Sequence, residues 1–163
     1  MSGKSLTVDQ ILSLLREGPP RIAAHTAGLS MAQLHDAPGP DEWSLNEVLA
    51  HLRSCADVWG GCITTIIAED GPAIRAVNPR TWIKDTDYLE QQFQPSLEAF
   101  TAQRADLLAV LEGLAAEAWD RSATVSVAGK PLERTVLFYA EWLATHERSH
   151  VKSIGRVVKA MQA

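Results

Sequence analysis

Apolar positions recur at helical spacing over four long stretches of the chain, and these stretches predict its main elements. The first opens at Thr7, where Thr7 and Gln10 stand at capping-box spacing, and runs through Ile11, Leu12, Leu14, Leu15, Ile22 and Ala23 to Leu29. Gly18-Pro19-Pro20 interrupts it, so either the helix kinks there or a second helix restarts with proline in its first turn. Ser30 with Gln33 caps one further short turn.

The second stretch has the clearest start signal. Ser44 is its N-cap, Glu47 completes a capping box, and Trp43 and Val48 are spaced as a hydrophobic staple. It runs to about Glu69, where Asp70-Gly71-Pro72 stops it. A connector from Gly71 to Asp85 follows, long enough to be functional or packed onto the body. The third stretch covers roughly Asp87 to Ala115, with Leu89, Phe93, Leu97, Phe100, Leu107, Leu108 and Leu111 on its apolar face. Pro95 either kinks it or marks its true start. Thr124 to Val127 alternates like a strand before a Gly129-Lys130 turn, which predicts a small hairpin. The fourth stretch runs from about Arg134 to Met161. The pattern predicts one all-α domain over residues 1–163, a four-helix bundle with a small hairpin before the last helix.

Composition agrees with a globular domain. The chain has 163 residues, of which 46% are hydrophobic and 21% charged. The net charge of −5 and the absence of a long basic block argue against nucleic acid as a partner. No apolar run is long enough to span a bilayer, so no membrane is expected. The N-terminus lacks the pattern of a secretory signal, which makes the cytoplasm the expected location. Cys55 and Cys62 on one helix are separated by a rise of about 10 Å. A disulfide needs Cα atoms within roughly 7 Å, so the two are expected as free thiols.

The candidate chemistry lies in the histidines. His146 and His150 are four residues apart on the fourth helix, about 6 Å apart at Cβ and on one face. Two such imidazoles can reach one metal ion at about 2.0–2.1 Å each, although the same spacing is common on solvated helix faces. On a helical wheel the pair sits within the apolar stripe, with Tyr139, Trp142, Leu143 and Val157, while Arg148, Lys152, Arg156 and Lys159 fall on the far side. Buried imidazoles need partners, and one shared ion serves both. His51, two turns into the second helix, borders that helix's apolar side near Cys55. It is either a third ligand or a boundary histidine bonded to a neighbour.

Two segments, Glu42-Trp43-Ser44-Leu45-Asn46-Glu47-Val48-Leu49-Ala50-His51-Leu52 and His146-Glu147-Arg148-Ser149-His150, resemble the signature of the DinB-like superfamily of four-helix-bundle metalloproteins. That signature is a Trp-Ser helix start, a histidine two turns later, and a late His-x3-His. The resemblance implies a metal triad of His51, His146 and His150, and a divalent ion, with zinc or nickel foremost. Relatives of this kind transfer low-molecular-weight thiols such as bacillithiol, or use mycothiol in an isomerisation. The resemblance therefore implies a metal-dependent enzyme, with a thiol S-transferase or a hydrolase as the candidate activities. A small-molecule substrate is the expected partner, a low-molecular-weight thiol being one candidate, and a homodimer is a candidate assembly. Three imidazole ligands leave an open coordination position, as catalytic rather than structural sites do. The alternative is a non-catalytic, metal-stabilised or ligand-binding helical protein, which a closed site would favour.

Other residues have both a functional and a plain reading. Cys55, one turn after His51, is either a fourth ligand or a small core residue; Cys62 reads as core. Glu47 is either a hydrogen-bond acceptor for an imidazole or a cap residue only. Tyr139 and Trp142 read as core packing, with a substrate hydroxyl as the alternative for Tyr139. The basic stripe on the fourth helix reads as a solvated face. Arg75, Arg80 and Trp82 on the connector are candidate substrate contacts, and His25 and His35 read as ordinary surface or boundary residues.

Overall fold

The computed structural model describes residues 4–162; residues 1–3, where the segment read for a secretory signal begins, and residue 163 lie outside them. The helices are α1 (Val8–Thr26), the short α2 (Met31–His35), α3 (Leu45–Ala68), the short α4 (Pro79–Trp82), α5 (Phe93–Glu112) and α6 (Val136–Met161). Three strands, β1 (Ala73–Arg75), β2 (Ser122–Val127) and β3 (Lys130–Thr135), form one small sheet. Thr7, Ser30 and Ser44 each close a capping box with the residue three positions on, as their spacing predicts.

The long helices α1, α3, α5 and α6 make a four-helix bundle in which α1 and α3 each pack against both α5 and α6. Consecutive long helices α1 and α3 thus stand on a diagonal, as do α5 and α6. The core divides into two apolar clusters. One gathers Leu15, Ile63, Leu111 and Leu143; the other gathers Ile22, Leu49, Phe100 and Ile154. Helices α1 and α6 run from the first cluster to the second, and α3 and α5 run the opposite way.

A polar layer separates the clusters. Arg104 of α5 and Glu147 of α6 are both buried, and the guanidinium donates to the two carboxylate oxygens at 2.6 and 2.5 Å. Gly18 of α1 makes room for this pair, since a Cβ there would lie 2.2 Å from Glu147 Oε2.

The prolines act differently in the two helices that hold them. Helix α1 runs unbroken through Pro19 and Pro20, and it does not restart as a second helix. Pro19 has no N–H for the Leu15 carbonyl, and Arg104 Nη1 donates to that carbonyl instead at 2.9 Å. The third predicted stretch begins at Phe93, not Asp87, so Pro95 sits in the first turn, where no intrahelical N–H bond is lost. It ends at Glu112, ahead of the expected Ala115, because Gly113 closes it.

The predicted hairpin forms, but its turn lies one residue earlier than Gly129-Lys130, because Lys130 already pairs with Val127. β2 and β3 pair antiparallel from Ser122↔Thr135 to Val127↔Lys130. Ala128 (φ 50°) and Gly129 (φ 81°) make the two-residue turn, with the positive φ at both positions that suits a right-twisted hairpin. The connector adds β1, which pairs parallel to β2. Beyond it, α4 and the one-turn helices Ile83–Asp85 and Tyr88–Glu90 lie against α3. Among the described residues no helix is long and apolar enough to cross a membrane.

Candidate metal centre

Adjacent helices α3 and α6 bring His51, His146 and His150 to one place. The ring centroids of His51 and His146 are 5.2 Å apart, those of His51 and His150 5.1 Å, and those of His146 and His150 4.6 Å. His51 is buried and the other two are half-buried. His51 Nε2 faces His146 Nε2 at 3.4 Å. Two nitrogens bound to one tetrahedral ion at about 2.05 Å stand about 3.3 Å apart, so this pair fits shared coordination.

Cys55, one turn along α3, places its Sγ 3.5 Å from His51 Nε2. Ligand atoms of His51, Cys55 and His146 all lie within 4.8 Å of one another. The third histidine expected in the triad, His150, stands beside this set by its ring and is not part of it.

The electrostatics favour neutral rings. Burial holds the pKa of His51 down to about 4, helped by His150, His146 and Arg80. Burial likewise lowers His146 to about 4, with His150 and Arg80 contributing, and lowers His150, with Arg80 contributing. A neutral imidazole offers the lone pair a metal needs. Burial, with the Glu147 charge second, pushes the Cys55 thiol up to about 12, so without an ion it is a protonated thiol. His146 Nδ1 is buried with no hydrogen-bond partner among the described residues. The donor set of neutral imidazoles around a close nitrogen pair fits a divalent ion of borderline softness.

Aromatic rings wall the site. Trp43 stands 5.2 Å from the His51 ring, Trp59 stands 5.0 Å from the His146 ring, and Trp142 stacks on His146 at 6.5 Å. Trp142 was expected in the core and is 47% exposed; its ring packs edge-on against Trp59 of α3 at 5.7 Å and stands at the rim of the site. Tyr139 does pack in the core, beside Cys62, and offers no hydroxyl to the histidines. Glu47 keeps its cap role, accepting from Ser44 N at 3.1 Å, and makes no hydrogen bond to an imidazole.

The connector candidates separate. Arg80 lies over the Trp43 ring at 5.2 Å and borders a hollow of about 170 Å³ that reaches His51. Trp82 turns away and donates to Asp57 at 3.1 Å, and Arg75 lines a different hollow with Cys62. Lys152, Arg156 and Lys159 of the basic stripe line a separate hollow with His25, and none of His51, His146 and His150 borders it. A larger groove of about 490 Å³ lies between α3 and α5 beside Asp57, and it holds no histidine or cysteine.

Three residues carry more than the sequence reading gave them. Glu147 and Arg104 form the buried pair behind the site. His35, half-buried, accepts from Phe93 N at 3.2 Å and so caps α5, whose own N-cap Gln92 makes no side-chain bond.

Comparison with known proteins agrees with this architecture. No curated protein matches the chain. YfiT from Bacillus subtilis, described as a probable metal-dependent hydrolase with an unusual four-helix bundle topology, superposes with a TM-score of 0.80 at 18% identity. The match covers 99% of this chain and 93% of that one, and at such identity the likeness is one of fold. The model of the DinB superfamily matches residues 14–154, most of the chain and both histidine segments, and the chain belongs to that superfamily.

Proposed function

We propose that the chain is a divalent-metal-dependent enzyme whose ion, zinc or nickel, is held by His51, His146 and His150. The observation that carries this is the 3.4 Å approach of two neutral imidazole nitrogens from different helices. Supporting it are the fit of that distance to shared coordination and the half-exposed wall through which a small molecule can arrive. When bound, such an ion supplies Lewis acidity and lowers the pKa of a coordinated water or thiol. The protein's own part is to hold the rings neutral and oriented and to line the approach with tryptophan. Hydrolysis, which is how YfiT is described, and transfer of a low-molecular-weight thiol are the two reaction classes that use such a nucleophile. The free thiols Cys55 and Cys62 suit a reducing compartment, the cytoplasm.

A second reading has a specific observation behind it. Cys55, not His150, completes the tightest ligand set, and an ion held by His51, Cys55, His146 and His150 together would be closed and structural. Metal analysis of tag-free protein tests the first reading. About one ion per chain is expected, with severe loss in His51→Ala and His146→Ala and none in His25→Ala. Full metal content in His51→Ala would reduce the site to α6 alone. The cobalt(II) form separates the two readings, because a thiolate-to-cobalt absorption band that disappears in Cys55→Ser belongs only to the closed site.

A further inference from the structure

Arg80 is a cation without a partner at the mouth of the histidine cluster. Its backbone N–H donates to Asn78 Oδ1 at 2.9 Å, but among the described residues its guanidinium makes no ion pair and no hydrogen bond. The arginines around it are engaged. Arg53 donates to Gln91 and Ser96, and Arg104 to Glu147. The Arg80 guanidinium is held over the Trp43 ring, which stands in turn against His51. Between them lies a hollow of about 170 Å³ whose other walls are Ile83, Leu89 and Glu47. That is smaller than the roughly 300–1,000 Å³ of a drug-sized pocket.

We propose that Arg80 recognises the substrate's anionic group and that the substrate is a small monocarboxylic acid with an apolar body. The carboxylate meets the guanidinium fork, which presents paired N–H donors, and the body lies among Trp43, Ile83 and Leu89. Glu47 selects for a single negative charge. Its carboxylate borders the same hollow and stays anchored on Ser44 N, so it offsets the Arg80 charge, and a second negative charge gains little attraction there while costing more to desolvate. That the acid is the substrate rests on the histidines being a metal site beside it, whereas the seat for its carboxylate at Arg80 rests on the hollow itself.

The test is calorimetric titration of zinc-loaded, tag-free protein with benzoate, benzamide and phenyl phosphate, with zinc content measured on every sample. Benzoate is expected to bind, with benzamide and phenyl phosphate at least about tenfold weaker. Arg80→Gln is expected to weaken benzoate at least about tenfold while keeping wild-type zinc content, with Arg80→Lys between the two. Equal benzoate affinity in Arg80→Gln, equal affinity for benzamide, tighter binding of phenyl phosphate, or no benzoate binding at all would each overturn the assignment. If the wild type takes up no zinc but binds benzoate in an Arg80-dependent way, the metal reading fails and the anion assignment stands.

Discussion

Arg104 donates to both carboxylate oxygens of Glu147 across the diagonal of the bundle, and the same Nη1 also serves the Leu15 carbonyl that Pro19 leaves without an amide. Both side chains are about 2% exposed, so neither charge has water to fall back on. Removing one partner of such a pair strands the other, at a cost of about 3–5 kcal/mol. Glu147→Gln is therefore expected to lower the urea midpoint strongly, and Gly18→Ala to do so by driving a methyl into the carboxylate. The double variant Arg104→Met/Glu147→Leu should be more stable than Glu147→Gln alone, because it leaves no unpaired charge. A Glu147→Gln midpoint equal to wild type would mean that the pair does not lock the layer between the two apolar clusters.

The sequence carried a signal for this pair, in the gaps of two stripes. On α5, Phe93, Leu97, Phe100, Leu107 and Leu111 keep heptad spacing only if Arg104 fills the missing position. On α6, Val136, Ala140, Leu143, Val151, Ile154 and Val158 leave the same kind of gap at Glu147. Opposite charges at core positions of two helices read as partners once the bundle is known. Helix starts were legible because a capping box is local chemistry between residues three apart. The order of the helices around the bundle, with α1 and α3 on a diagonal, was not legible, because apolar periodicity says which face is buried and not what covers it. The histidines were legible as a group, since His-x3-His fixes two rings on one face. Their individual nitrogen directions depend on rotamers set by Trp43, Trp59 and Trp142.

Asp57 holds the connector in place. It accepts from Trp82 Nε1 at 3.1 Å and Tyr88 OH at 2.6 Å, and from Gln103 Nε2 of α5 at 2.6 Å, while Arg53 lies over the Tyr88 ring at 3.8 Å. Burial first, and the Asp57 bond second, push the Tyr88 phenol up to about 12. Asp57→Ala is expected to cost about 1–3 kcal/mol by stranding partly buried donors. It should also lower the pKa of one tyrosine and speed proteolysis between Pro79 and Gln92. Unchanged cleavage of that segment would show that apolar packing alone holds it.

The two thiols differ in environment and so in reactivity. Cys55 is fully buried and burial raises its pKa to about 12, whereas Cys62 is half-buried, and there burial raises the pKa while the Tyr139 hydroxyl opposes it. Denatured, non-reduced protein should titrate two thiols per chain. Native metal-free protein should react at Cys62 first and at Cys55 only at the rate of opening of the bundle. Faster labelling of Cys55 than of Cys62 would contradict its place behind His51.

Acid should weaken the metal-free fold through the histidines. His51 and His146 have folded pKa values of about 4, lowered chiefly by burial, against 6.5 when unfolded. Between those values the unfolded chain binds more protons than the folded one, so stability rises with pH across this window. The stabilisation is complete above pH 6.5 and is lost as the pH falls toward 4. Carboxylates titrate over part of the same range, so the informative quantity is a difference between proteins. Urea midpoints of chelator-treated wild type and of His51→Phe/His146→Phe should diverge across this range, the double variant losing less as the pH drops. Phenylalanine keeps the aromatic volume against Trp43 and Trp59 and removes only the titrating nitrogens. Parallel pH profiles for the two proteins would place both rings in a more solvated setting than the α3–α6 interface provides, and would remove the reason for their being neutral ligands at mildly acidic pH.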